Sequence, residues 1–216
     1  MLVRIAHKLI DEGNSEDGEV VLDAAHSIAA RSLMGSVPED AIMQSLRSLM
    51  IDNSLEFAII GAVALMVHGQ VRNTEDVDVL VSALPDAGKL RDPDYMQVHG
   101  FYRARSSTGT ILTIDHRQNG QVELLVANSD LRSWALSTAI GTMVLGCSVP
   151  VVSAAALVAL KIHAMTSNPS RKMKDQPDIV SILMKSKPDL TEAFKHLSDE
   201  ETESLQKIVN SIVDYG

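Results

Sequence analysis

The sequence predicts an α+β fold, and three observations carry that expectation. They are a strand bearing aspartates in alternation, an Asn-Gly turn between two apolar runs, and apolar residues at helical spacing towards both ends. The strand is read from Asp76-Val77-Asp78-Val79-Leu80-Val81. Successive side chains on a strand face opposite ways, so Asp76 and Asp78 share one face while Val77 and Val79 turn to the core. Two carboxylates held side by side repel each other unless a cation sits between them. Hard oxygen donors in that layout suit a divalent ion working on phosphate groups. A half-exposed strand with two aspartates on its polar face gives the same pattern, so the pair alone leaves both readings open.

Upstream, Phe57-Ala58-Ile59-Ile60 is a short apolar run of the kind that fills a buried strand. It stops at Gly61-Ala62, and Val63 to His68 reads as a short, mostly buried helix closed by Gly69. The first amides of a helix have no internal partner and carry the positive end of its dipole. A small-residue turn feeding such a helix can therefore seat a phosphate, and Gly61 permits close backbone approach. Downstream, Ile111 to Arg117 and Val122 to Val126 read as two strands joined at Asn119-Gly120, a strong hairpin signal.

The segment FAIIGAVALMVHGQVRNTEDVDVLV, residues 57–81, resembles the core of the nucleotidyltransferase (polymerase beta-like) superfamily. The resemblance is good over about residues 53–130 and looser to about 185. With His68-Gly69, Arg72, Thr74 and the Asp76-x-Asp78 pair in this spacing, it is most similar to the abortive-infection (AbiEii-type) and related toxin-like bacterial members. The resemblance implies a nucleotidyltransferase-type mixed β-sheet flanked by helices, with helical extensions at both ends. It implies metal-dependent transfer of a nucleoside monophosphate from a nucleoside triphosphate, with Mg²⁺ or Mn²⁺ on Asp76 and Asp78. Its third acid would fall at Glu123, where most relatives have aspartate. Glu123 would help a second ion and take the proton of the incoming hydroxyl, although an alternating strand also explains it. The triphosphate would lie at Gly61 and Ala62 with Arg72 and Thr74, and Lys161 and Lys174 would approach the nucleotide. A lysine snorkelling from a buried helix explains Lys161 equally well, and a solvated helix start explains the Arg171 to Lys174 cluster better. Ala62 in place of the usual Gly or Ser, and Glu123 in place of Asp, are departures from the pattern. They keep open a non-catalytic relative that binds nucleotide or regulates a partner. The acceptor is left open among tRNA, a protein and a small molecule such as an aminoglycoside, and a toxin reading would add an antitoxin partner.

Composition narrows these choices. The net charge of −9 argues against broad nucleic-acid binding, and 3% aromatic residues leave few platforms for base stacking. An RNA acceptor would need a local basic face, for which Arg103, Arg105, Arg117, Arg171, Lys172 and Lys174 are candidates. The single cysteine, Cys147, excludes an internal disulfide, agrees with a cytoplasmic location and reads as core. No histidine pair has the spacing of a metal motif. The most apolar stretch, residues 137–165, is broken by Gly141, Gly146, Pro150 and Lys161, so no membrane span is expected. It reads instead as a strand near Ser148 to Val152, a cap at Ser153 and a core helix.

At 216 residues the chain divides into an N-terminal helical extension (1–52), a catalytic core (53–130) and a mostly helical region (131–216) completing the nucleotide site. Ile5, Leu9 and Ile10 mark one apolar helix face; Val20, Val21, Ala24, Ala25 and Ile28 mark a second. These two helices are extra to the core and suit a cap, an oligomer contact or a partner surface. Ser36-Val37-Pro38-Glu39 opens a third helix, Pro38 to Met50, with a capping-box pattern. Residues 84–93 read as a connection with a short helical piece, Gly100-Phe101-Tyr102 as the start of a strand region, and 106–109 as a loop. Helices are expected over Asp175 to Lys185, over Leu190 to His196, and after a second capping box at Ser198 to Glu201.

Overall fold

A computed structural model describes residues 40–70, 74, 76–117, 120–144 and 146–213. The expectations for the first two helices, the capping box at Ser36 to Glu39, Arg72 and Asn119 lie outside the described residues. The first described element is α1 (Asp40–Asp52), whose Ile42, Met43, Leu46, Leu49 and Met50 form one buried stripe at helical spacing. Next come β1 (Phe57–Ile59), α2 (Gly61–Val67) and β2 (Asp76–Val81). Two short helices, α3 (Ala87–Arg91) and α4 (Pro93–Val98), fill the connection to the β3 (Phe101–Thr108), β4 (Ile111–His116) and β5 (Gln121–Val126) meander. Then follow α5 (Asp130–Ser137), β6 (Ile140–Val144), β7 (Cys147–Val151) and α6 (Ala154–Ser167). A 3₁₀ turn (Pro169–Arg171) leads into α7 (Lys172–Ser186), α8 (Thr191–Lys195) and α9 (Asp199–Val213).

The seven strands among the described residues form one mixed sheet in the order β3-β4-β5-β2-β1-β7-β6. β2 is antiparallel to β1 and parallel to β5, and β1 runs parallel to β7. Val77 and Val79 are buried against the core while Asp76 and Asp78 on the opposite face are only partly covered, as the alternation requires. The fold class expected from the sequence, α+β with a mixed sheet flanked by helices, is the one observed.

Local signals survive tertiary packing where they satisfy backbone groups. Ser153 caps α6 by accepting from the Ala156 amide at 3.2 Å. At α9 the Ser198 amide donates to Glu201 Oε2 at 2.8 Å and the Glu201 amide donates to Ser198 Oγ at 3.4 Å, a reciprocal capping box. Cys147 is buried in β7. His68, at the end of α2, pairs through Nε2 with the Val152 carbonyl at 2.9 Å, a packing role.

Three expectations are corrected. The segment Ser106 to Gly109 is not all loop, because β3 runs on to Thr108 and pairs with Ile111, with irregular register at Ser106/Thr108. Cross-strand bonding to β4 extends a polar segment that has no β pattern of its own. β6 was not expected: exposed Ile140 and Met143 break the alternation, and the strand exists because its backbone pairs with β7. Finally, α7 begins at Lys172 rather than Asp175, with Pro177 inside it. Among the described residues, no helix is long and apolar enough to cross a membrane.

Candidate active site

Three elements bring the singled-out carboxylates to one place. The parallel register of β2 and β5 sets Asp78 opposite Glu123 and Asp76 opposite Gln121. Opposed residues share a sheet face and neighbouring strands lie about 4.8 Å apart, so Asp76, Asp78 and Glu123 gather on one side. β1 then ends beside them, with the Ile60 amide donating to the Asp78 carbonyl at 2.9 Å. Gly61 follows at φ +63°, and a Cβ placed there would overlap the Asp78 carboxylate. The turn is thus glycine for two reasons, a left-handed backbone and a carboxylate pressed against its α-carbon. Gly61→Ala is expected to cost about 2–4 kcal/mol from strain and overlap. Urea denaturation checks this, and the cost should shrink in an Asp78→Gly background, the non-additivity of touching residues.

The clustering has an electrostatic consequence. Burial, and then the charges of Asp76 and Glu123, push the Asp78 carboxyl up from 3.8 to about 6, while Lys174 and Lys161 act in the opposite sense. Asp76 is held by its neighbour: Thr74 Oγ1 donates to Asp76 Oδ1 at 2.6 Å. Ala62 follows Gly61 in the first turn of α2, partly covered.

The opposing wall comes from α6 and α7. The ammonium of Lys161, buried in α6, donates to Asp178 at 2.7 Å and to Asp175 at 3.0 Å. Arg171 Nε donates to the other oxygen of Asp175 at 2.7 Å. Burial alone would raise the Asp175 carboxyl, but Arg171 and Lys161 outweigh it and hold it below the ordinary range. The guanidinium of Arg171 is stabilised first by that bond to Asp175 and further by the charges of Asp78 and Glu123. A chain of alternating charge therefore runs from the carboxylates of the sheet through Arg171 to the buried aspartates. Lys174, exposed one turn along α7, adds its field at Asp78.

Sequence reasoning missed the role of Asp175 and Asp178, which occupy the ammonium it aimed at a phosphate. Their spacing of three on a helix beside a buried lysine was the available signal. It also missed the adjoining network in which Arg105 and Gln121 both donate to buried Asp115, at 2.6 and 3.0 Å. The expected nucleotide contact Arg72 lies outside the described residues.

The donor set suits a hard divalent cation: three oxygen acids on one face, one with its pKa raised by burial and then by the other two. As the side chains stand, no three His, Cys, Asp or Glu among the described residues are gathered closely enough to hold a metal ion. Mg²⁺ in phosphoryl-transfer sites takes one or two carboxylates from the protein and completes its shell with water and substrate phosphate. Two aspartates and a glutamate on one sheet face fit that requirement.

The fold has a solved counterpart. An antigenic nucleotidyltransferase-like protein from Paracoccidioides brasiliensis matches at a TM-score of 0.51 and 23% identity, over 82% of this chain and 88% of its own. The chain has a nucleotidyltransferase-like fold. ANT(2″)-Ia in complex with adenylyl-2″-tobramycin matches at a TM-score of 0.48 and 13% identity, over 80% and 94% of the two chains. The lincosamide antibiotic adenylyltransferase LnuA, lincomycin-bound, matches at 0.42 and 13%, over 63% and 91%. No protein-family model and no curated protein sequence matches the chain. Within the nucleotidyltransferase-like fold, the carboxylates stand on two adjacent parallel strands, β2 and β5, and Gly61 joins the strand next to β2 to α2.

Proposed function

We propose that the chain is a divalent-metal-dependent nucleotidyltransferase that moves a nucleoside monophosphate from a nucleoside triphosphate to an acceptor hydroxyl. The observation that carries this reading is the register of Asp78 against Glu123, with Asp76 on the same face and Gly61 packed on the Asp78 carboxylate. Mg²⁺ or Mn²⁺ on Asp76, Asp78 and Glu123 would offset negative charge on the phosphate oxygens and on the leaving pyrophosphate. The protein's own groups divide the remaining work. The amides of the Gly61-Ala62 turn and Thr74 seat the triphosphate, with Arg72 and Lys174 supplying cations. Glu123 takes the acceptor proton as the acceptor oxygen bonds to the α-phosphorus and the bond to the β-phosphate oxygen breaks. Lys161, engaged by Asp175 and Asp178, acts by positioning Arg171 and α7 and through its field. Such a site works by positioning and charge stabilisation.

The test is incubation with Mg²⁺ and each α-labelled nucleoside triphosphate, offering total tRNA, protein lysate and small-molecule acceptors including an aminoglycoside. Label passing to one class, and lost with Asp78→Asn, supports transfer and names the acceptor. Nucleotide binding without transfer to any acceptor would instead assign the fold to a non-catalytic role. The finer placement among toxin-like members rests on His68-Gly69, Thr74 and the aspartate spacing. It predicts growth arrest on expression in the cytoplasm of a bacterial host, relieved by Asp78→Asn or by an antitoxin partner.

A further inference from the structure

The sheet face that carries Asp76, Asp78 and Glu123 does not end with them. Strand register continues it across the meander in two rows. Asp78, Glu123, Thr113 and Arg105 stand side by side, and so do Asp76, Gln121, Asp115 and Arg103. Opposed residues share a face, so Arg103 and Arg105 lie on the same side as the carboxylates. Towards β1 this face is closed, with Leu80 fully buried, whereas Gln121, Arg103 and Arg105 are exposed. Backbone to backbone, Arg105 is two strand spacings from Glu123, about 10 Å.

Arg105 is aimed by a buried group. Its Nη2 donates to Asp115 Oδ1 at 2.6 Å, and the Gln121 side-chain amide donates to the same oxygen at 3.0 Å. Asp115 is 5% exposed, while the Arg105 side chain keeps 43% of its surface open. A guanidinium has five N–H donors, so the one spent on Asp115 leaves the others for a ligand. The guanidinium of Arg103 has no partner among the described residues. Charged side chains also guard an edge strand, but that task needs no buried carboxylate behind them. With the three acids assigned to metal, these rows hold two arginines against Asp115. The part left for an acceptor is net positive in a chain of net charge −9.

We propose that Arg103 and Arg105 form a phosphate subsite for the acceptor, which is then a hydroxyl compound carrying a phosphate rather than a polycationic aminoglycoside. Arginine forks match phosphate oxygens in paired hydrogen bonds. The spacing from Glu123 suits a phosphate one sugar away from the attacking hydroxyl, as in a small sugar phosphate or the 3′ end of a polynucleotide. The assignment rests on the transferase reading, and a binding measurement tests it apart from transfer.

Full-length protein labelled with ¹⁵N-arginine is held with Mg²⁺ and excess α,β-methylene nucleoside triphosphate, then titrated with ribose 5-phosphate or with ribose. Ribose 5-phosphate should shift the Nε–H signals of Arg103 and Arg105, and ribose should not. Arg103→Gln/Arg105→Gln should weaken its binding about tenfold, and raise the acceptor KM in the transfer assay by a similar factor. Arg105→Gln takes a partner from buried Asp115, so Arg103→Gln alone is the second variant. It should keep the wild-type melting midpoint and still weaken binding severalfold. Tighter binding of total tRNA through the same arginines would name a polynucleotide end as the source, and its absence a small phosphate. Signals of both arginines unmoved by ribose 5-phosphate and by tRNA, or affinity unchanged in both variants, would overturn the subsite. Label passing to an aminoglycoside with a KM indifferent to the variants would overturn it too. Phosphate bound at both arginines, with no label transferred to any acceptor, would keep the phosphate site and bring down the transferase reading.

Discussion

Asp78→Asn is expected to abolish nucleotidyl transfer, by at least a thousandfold, while leaving the metal-free protein more stable at pH 8. The two effects have one cause. Burial and the charges of Asp76 and Glu123 raise the Asp78 carboxyl to about 6, so the folded chain holds an ionised group that it disfavours. A raised carboxyl contributes stability that is complete below its unfolded value of 3.8 and is lost as pH rises through about 6. At pH 8 that loss is complete, and a neutral amide removes it, a gain on the order of 1–3 kcal/mol. The gain should fade as the pH is lowered from 7 to 4, where Asp78 is itself protonated. Divalent cation reverses the balance because it needs the ionised form. Wild-type protein should therefore gain thermal stability with Mg²⁺ or Mn²⁺ and release protons near pH 6, and Asp78→Asn should do neither. Calorimetric melts with and without Mn²⁺ across this pH range check each point. A metal-induced shift unchanged in the variant would sink the assignment of Asp78 as a ligand.

Lys161→Met should give a large loss of stability, about 3–5 kcal/mol, through a different route. Its ammonium serves two buried carboxylates, Asp175 and Asp178, and Met fills similar volume but leaves both charges without it. Arg171 holds one oxygen of Asp175 only. The triple variant Lys161→Met/Asp175→Asn/Asp178→Asn should lose less than the single one, since the buried negative charge goes with its partner. The sign with pH also differs from Asp78. In the wild type the lowered Asp175 contributes stability above the ordinary carboxylate range and loses it as pH falls through its lowered value. In Lys161→Met that carboxyl becomes harder to ionise, so the deficit should be greatest near pH 8 and shrink towards pH 5. Urea midpoints at several pH values measure this. A transfer defect without any loss of stability would instead point to direct phosphate contact by Lys161.

Much of the fold was legible because its signals are local. The alternation in 76–81, the apolar runs that became β4 and β5, the Ser153 cap and the Ser198–Glu201 box each settle a backbone requirement within a few residues. β6 was not legible, since a strand held at the sheet edge by backbone pairing needs no side-chain pattern. The extent of β3 was hidden for the same reason.

The candidate site divides along the same line. Local periodicity determined by itself that Asp76 and Asp78 share a face, and that a small residue opens the helix after β1. Only the tertiary structure decided that β5 runs parallel to β2 with Glu123 opposite Asp78, because strands distant in sequence choose their partner and register through the whole core. It likewise decided the protonation balance of Asp78 and the capture of Lys161 by Asp175 and Asp178. Charge energies depend on burial and on separations of a few ångströms, and those distances exist only once α6 and α7 are packed against the sheet.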